Sequence, residues 1–115
     1  MCELKINSII NTEATGVSHN SNIKKHVLIN NGEIANVTNF SEAVFPPGEI
    51  AGSHSHHDMV EIFFIKSGKG VLIVDGVSHD IGEGMCITID KNEVHELKNT
   101  GVSSLVVMCF GIEVN

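Results

Sequence analysis

The sequence predicts an all-β domain, a single antiparallel sandwich or barrel, and three observations carry that reading. From His26 onward, apolar and β-branched residues come in short runs separated by turn residues. No segment keeps a helical period over a span of about ten residues or more. Between Val71-Leu72-Ile73-Val74 and Val77-Ser78 stands Asp75-Gly76, the strongest short-range hairpin signal in the chain. With 115 residues there is material for one hydrophobic core and not for two.

In chain order, residues 1–10 alternate loosely, and Leu4, Ile6 and Ile9 are candidates for the buried face of an edge strand. Residues 11–25 are rich in Asn, Ser and Thr and read as a surface loop. The expected organisation is therefore an N-terminal strand and polar loop over 1–25, followed by the barrel over 26–115. Strands are expected at 26–30, 34–45, 59–66, 71–74, 77–81, 85–89, 94–98 and 103–110. The punctuation between them is Asn30-Asn31-Gly32-Glu33, Pro46-Pro47-Gly48, Ser67-Gly68-Lys69-Gly70, Asp75-Gly76, Gly82-Glu83-Gly84 and Asn99-Thr100-Gly101.

Composition narrows the function. The net charge is −7, and the seven basic residues are all lysines, scattered rather than arranged in a stripe. That distribution argues against a nucleic-acid partner. No apolar run reaches bilayer length, and the N-terminus lacks a basic region followed by an apolar stretch. The expectation is a soluble cytoplasmic protein with no membrane partner. Cys2, Cys86 and Cys109 are odd in number and widely spaced, as reduced thiols would be, and Cys86 and Cys109 lie in apolar runs that suggest buried positions. Arg, Tyr and Trp are all absent. A bound molecule therefore meets no bidentate guanidinium fork, no phenolic acid or base and no indole platform.

The residues that carry chemistry are histidines and one glutamate. Three of the seven histidines fall within His54-Ser55-His56-His57. In an extended strand His54 and His56 point to one side and His57 to the other. Glu61 shares a strand face with Phe63 and Ile65, so its carboxylate enters an apolar interior where a metal ion is one of the few partners that offset the cost. His95 alternates in phase with Leu97 and brings a third imidazole to an inward face. Three imidazoles and a carboxylate suit one divalent transition-metal ion, with Fe, Mn, Co, Ni, Cu and Zn all compatible. His54, His56, Glu61 and His95 are the expected ligands.

These residues resemble the cupin family. Its first motif, Gly-x5-His-x-His-x4-Glu-x6-Gly, is matched by Gly48, His54, His56, Glu61 and Gly68. Its second, Gly-x5-Pro-x-Gly-x2-His-x3-Asn, is matched in spacing by Gly84, His95 and Asn99, with Asp90 at the usual Pro and Asn92 at the usual Gly. Asn tolerates the left-handed conformation that Gly supplies, so the turn before His95 is expected to keep its shape. The resemblance implies a jelly-roll β-barrel with the metal near its wider mouth. It also implies homodimers formed through outward apolar residues such as Ile62 and Phe64.

Cupins include dioxygenases, isomerases, decarboxylases and lyases as well as non-catalytic storage and sensing domains. The leading expectation is a metal-dependent enzyme, an oxidoreductase, isomerase or lyase, acting on a small oxygen-rich metabolite that chelates the ion. Glu61 is its candidate catalytic base. The alternative is a small-molecule binding or sensing module without turnover. Phe63 is the candidate pocket residue, while Phe45, Met85, Ile87 and Met108 read more simply as core. Glu49 and Asp58 read as solvated loop carboxylates, and His19, His26, His57 and His79 as surface or locally bonded side chains. Gly48, Gly68 and Gly84 read as turn residues without chemistry.

Overall fold

Asp75 and Gly76 have φ of 48° and 81°, the positive values that a two-residue primed turn requires. They join β6 (Lys69–Val74) to β7 (Val77–Gly82), with Val74 opposite Val77. The same alternation-and-turn logic runs through the computed structural model, which describes residues 3–17 and 20–114. Its other strands are β1 (Thr15–Val17), β2 (Asn20–Ile29), β3 (Val37–Phe45), β4 (Ile50–His54), β5 (Met59–Ser67), β8 (Cys86–Ile89), β9 (His95–Asn99) and β10 (Leu105–Glu113).

All pairings are antiparallel. The strands form a six-stranded sheet, ordered β1-β2-β3-β10-β5-β8, and a four-stranded sheet, ordered β4-β9-β6-β7. The two sheets pack face to face as a jelly roll. Ile23, Ala43, Phe45, Phe63, Ile65, Leu105 and Val107 from the larger sheet meet Leu72, Ile81 and Leu97 from the smaller one. Each such large side chain removed from water contributes about 1.5–3 kcal/mol, so this seam is the main source of stability. No described helix is long and apolar enough to cross a membrane.

The N-terminal expectations need correction. Residues 3–8 form no strand, and Leu4 and Ile6 are each 88% exposed. The ladder position beside β2 is taken by β1, so this segment touches the sheet only through side chains, such as Asn7 Nδ2 donating to the Leu28 carbonyl at 3.3 Å. A single 3-10 turn follows at Ile9–Asn11, capped by the Ser8 hydroxyl. The stretch 11–25, expected as a loop, instead carries β1 and the first half of β2. Ser21, Asn22 and Lys24 are exposed, while Ile23 is fully buried and anchors the strand.

Cys86 is exposed, against expectation, because it pairs with Phe64 on the outer face of the larger sheet; Ile87, paired with Phe63, is the residue that turns inward. Cys109 is partly buried, and burial pushes its thiol pKa up to about 12. Met85 is 43% exposed rather than core, and Met108 shares the outer face with Phe64. Cys2 and His19 lie outside the described residues.

Candidate metal centre

At one end of the sandwich, β4, β5 and β9 bring four side chains together across the gap between the sheets. His54, the last residue of β4, is the register partner of His95, the first residue of β9. Glu61 reaches the same point from the inward face of β5 in the other sheet. His56 arrives differently from the sequence expectation, because β4 ends at His54 and the chain continues as a loop. What holds His56 is its own carbonyl, which accepts the Asn92 N–H at 2.6 Å. Asn92 has φ of 68°, the left-handed conformation expected of it in place of Gly. His57 is exposed and does not join the group.

One potential ligand atom from each of His54, His56, Glu61 and His95 lies within 4.8 Å of the other three. Two tautomers follow from the hydrogen bonds. His54 Nδ1 is 2.8 Å from the Gly52 carbonyl, and His95 Nδ1 is 3.0 Å from the Glu93 carbonyl. A carbonyl only accepts, so each Nδ1 must carry the hydrogen and donate it, which leaves Nε2 to face the cluster. Carbonyl anchoring of the far ring nitrogen is the support that metal-ligating histidines ordinarily have. Glu61 Oε1 lies 3.0 Å from His95 Nε2 and 3.1 Å from His56 Nε2.

Electrostatics separate His95 from His56. Burial lowers the pKa of His95, but the hydrogen bond to Glu61, the bond to the Glu93 carbonyl and the charges of both carboxylates together hold it above the ordinary 6.5. Glu61 is raised by burial, yet the hydrogen bond from His95 and the charges of His56, His95 and His54 together carry it below the ordinary 4.5. His56 stays below the usual imidazole value because of burial, with the neighbouring His54 and His95 acting in the same sense against the pull of Glu61. The Glu61 carboxylate thus favours the charged form of His95, and His95 favours the ionised form of Glu61. A metal cation competes with the proton for the His95 nitrogen, and this donor set of three imidazole nitrogens and a carboxylate oxygen fits a first-row transition-metal ion. Exposure grades from His95, 2% exposed, to His54, which faces solvent.

The ligand positions of the two motifs thus converge on one site, and a cupin domain model matches residues 41–111. The chain belongs to the cupin family. An oxalate-binding protein from Thermotoga maritima is 35% identical over 66 residues, 57% of this chain and 54% of the relative. The chain spans about half the length of the curated relatives it matches. The crystal structure of a predicted oxalate decarboxylase from Thermotoga maritima superposes with a TM-score of 0.89 at 23% identity, covering 96% of this cupin and all of that chain. The polyketide cyclase RemF from Streptomyces resistomycificus gives 0.81 at 18% identity, covering 96% and 80% of the two chains. At such identities these two structures speak for the fold alone.

Beside the four-residue cluster is a cavity of about 400 Å³, at the lower end of the range for small-molecule sites. Phe63 lines it, 7% exposed, with its ring 6.1 Å from that of His95. Phe45 lines it too. Neither Glu49 nor Asp58 does: Glu49 accepts hydrogen bonds from the Asn20 and Asn22 amides, and Asp58 is exposed. His26 is bonded locally to Thr12, and His79 is exposed on β7. Sequence reading missed Lys25, Asn39 and Cys109 as lining residues. For Lys25 the signal was present, since Ile23, Lys25 and Val27 alternate in phase.

Proposed function

We propose that this cupin binds one divalent transition-metal ion through His54, His56, Glu61 and His95. It then acts as a metal-dependent enzyme of the dioxygenase, isomerase or lyase type on a small oxygen-rich metabolite that chelates the ion. The observation that carries this reading is the convergence of the carbonyl-anchored His54 and His95 rings with His56 on the Glu61 carboxylate at the mouth of a cavity. When bound, the ion supplies Lewis acidity or redox chemistry toward adjacent substrate oxygens. Phe63 and Phe45 give the cavity an apolar wall that keeps bulk water from a seated ligand. Glu61 is the carboxylate placed to move a proton, and Cys109, held protonated by burial, is no competing nucleophile. The name of the oxalate-binding relative supports a ligand with adjacent oxygens.

Elemental analysis of untagged protein tests the centre, and about one equivalent of a transition metal is expected. His56→Ala should abolish retention while His57→Ala keeps it. Less than about a tenth of an equivalent after attempted reconstitution, or equal losses in both variants, defeats the reading.

A binding module without turnover is the second reading, favoured by a cavity that holds no Tyr or Arg and by the binding protein among the relatives. Oxygen uptake or isomerisation with small diketones, keto-acids and sugars separates the two, since only the enzyme shows turnover. Pairing into a homodimer belongs to the same proposal, through the outer face where Phe64 is 43% exposed beside Met108 and Ile62 is register partner of Phe110. Sedimentation velocity of Phe64→Lys tests it, with a shift from dimer to monomer expected. The separated, free Cys86 and Cys109 support the cytoplasmic setting.

A further inference from the structure

Lys25 occupies a position that the strand pattern reserves for apolar side chains. It lies on β2 between Ile23 and Val27, and its register partner Ala43 is 3% exposed in the core. Its side chain lines the cavity together with Phe45, Phe63 and the Glu61–His95 pair. An ammonium group among apolar walls is costly unless something pairs with it. Lys5 pairs with Glu33 and Lys66 with Glu42, whereas no carboxylate among the described residues is in ion-pair contact with Lys25. The chain has no arginine, and among the described residues Lys25 is the one lysine lining this cavity.

Charge bookkeeping inside the cavity points to the missing partner. The lining ionisable groups besides the imidazoles are Lys25, Glu61 and Cys109. Cys109 stays neutral, so Lys25 and Glu61 cancel, and a divalent ion at the cluster leaves the cavity with an excess of two positive charges. A small dianion neutralises that excess. At about 400 Å³ the cavity holds only a short molecule, one able to lie between Lys25 and the histidine cluster.

We propose that Lys25 is the anion-recognising residue of this cavity and that its ligand is a small dicarboxylate, one carboxylate held by the ammonium group and the other directed at the His54, His56, Glu61 and His95 cluster. The far end of that ligand rests on the metal-centre reading, so metal content is measured separately from ligand binding.

The experiment is calorimetric titration of the full chain with malonate and with neutral malonamide, for wild type, Lys25→Met and Lys25→Arg. Metal content by elemental analysis and a thermal melt accompany each protein. Wild type is expected to prefer malonate over malonamide. In Lys25→Met malonate affinity should fall at least tenfold and the preference should collapse, with metal content and melting temperature little changed. Lys25→Arg should recover most of the malonate affinity. Equal malonate affinity in wild type and Lys25→Met overturns the proposal whatever the metal content, as does a wild type that binds no malonate at millimolar concentration. Equal loss of malonate and malonamide in Lys25→Met, unrecovered by Lys25→Arg, assigns Lys25 to packing and also overturns it. Lys25-dependent malonate binding by a protein that retains no metal upholds the lysine and refutes the metal centre alone.

Discussion

Replacing Asn99 by Ala isolates the energetic role of the last residue in the second motif. Asn99 is 1% exposed and uses its whole amide: Nδ2 donates to the Phe45 carbonyl and to the Ser103 carbonyl, each at 2.9 Å, and Oδ1 accepts the Gly101 N–H at 2.8 Å. The Phe45 carbonyl is interior, so stripping its donor costs roughly 2 kcal/mol; the other two bonds lie nearer solvent and are worth about 1 kcal/mol each. The expected loss is roughly 4 kcal/mol, a large share of the 5–15 kcal/mol typical of a domain. It should appear in urea denaturation as a lower midpoint at unchanged slope, and in thermal melting as a drop of roughly 15 °C. Asn99→Asp keeps the acceptor for Gly101 but loses both donations and buries a charge, so it should be at least as damaging. The backbone of Asn99 also bonds Gly48 and Glu49, ahead of the strand that presents His54, so metal affinity should fall together with stability. A loss under about 1 kcal/mol for Asn99→Ala would refute the reasoning.

Gly68→Ala should destabilise by about 3 kcal/mol, because Gly68 has φ of 88° and an added Cβ would stand 2.6 Å from the Ser104 carbonyl oxygen; a change within experimental error in urea unfolding contradicts this. In a Cys2→Ser background, iodoacetamide at pH 8 should label Cys86 and spare Cys109, whose thiol is held at about 12, and peptide mass spectrometry showing equal labelling would be the opposing result. The pH dependence of metal stabilisation follows from signs. His95, raised above 6.5, contributes stability to the metal-free protein that is full below that value and lost as pH rises through its higher folded value. Glu61, lowered from 4.5, contributes stability above 4.5 that is lost as pH falls through its depressed value. A bound metal must displace the His95 proton, so the rise in melting temperature on adding metal should be larger at about pH 7.5 than at about pH 5.5, and an equal or larger rise at the lower pH counts against His95 as a ligand.

The barrel strands and the four chemical residues were legible because both depend on local periodicity and spacing. Inward alternation places Glu61 with Phe63 and Ile65, and His95 with Leu97, without knowledge of what lies opposite. The hairpin at Asp75-Gly76 is decided by two residues that accept positive φ. Where polar residues hid the pattern, reading failed: Ile23 and Lys25 alternate in phase with Val27 of the expected strand, but the Asn-rich and Ser-rich stretch that holds them looked like a loop. Cys86 was misread because an apolar run in a strand has two faces, and only its pairing with Phe64 shows which one it takes.

By itself, then, the sequence determined the fold class, the strand rhythm and the identity of His54, His56, Glu61 and His95 as a group. Tertiary structure decided the matters that depend on elements far apart in the chain. The Asn92 N–H holds His56 in a loop beyond β4, carbonyl groups set the tautomers of His54 and His95, and Glu61 is brought to 3.0 Å from His95 Nε2. The cavity that Lys25 shares with that cluster is likewise a product of packing, because β2 and β5 meet only through β3 and β10 in the assembled sheet.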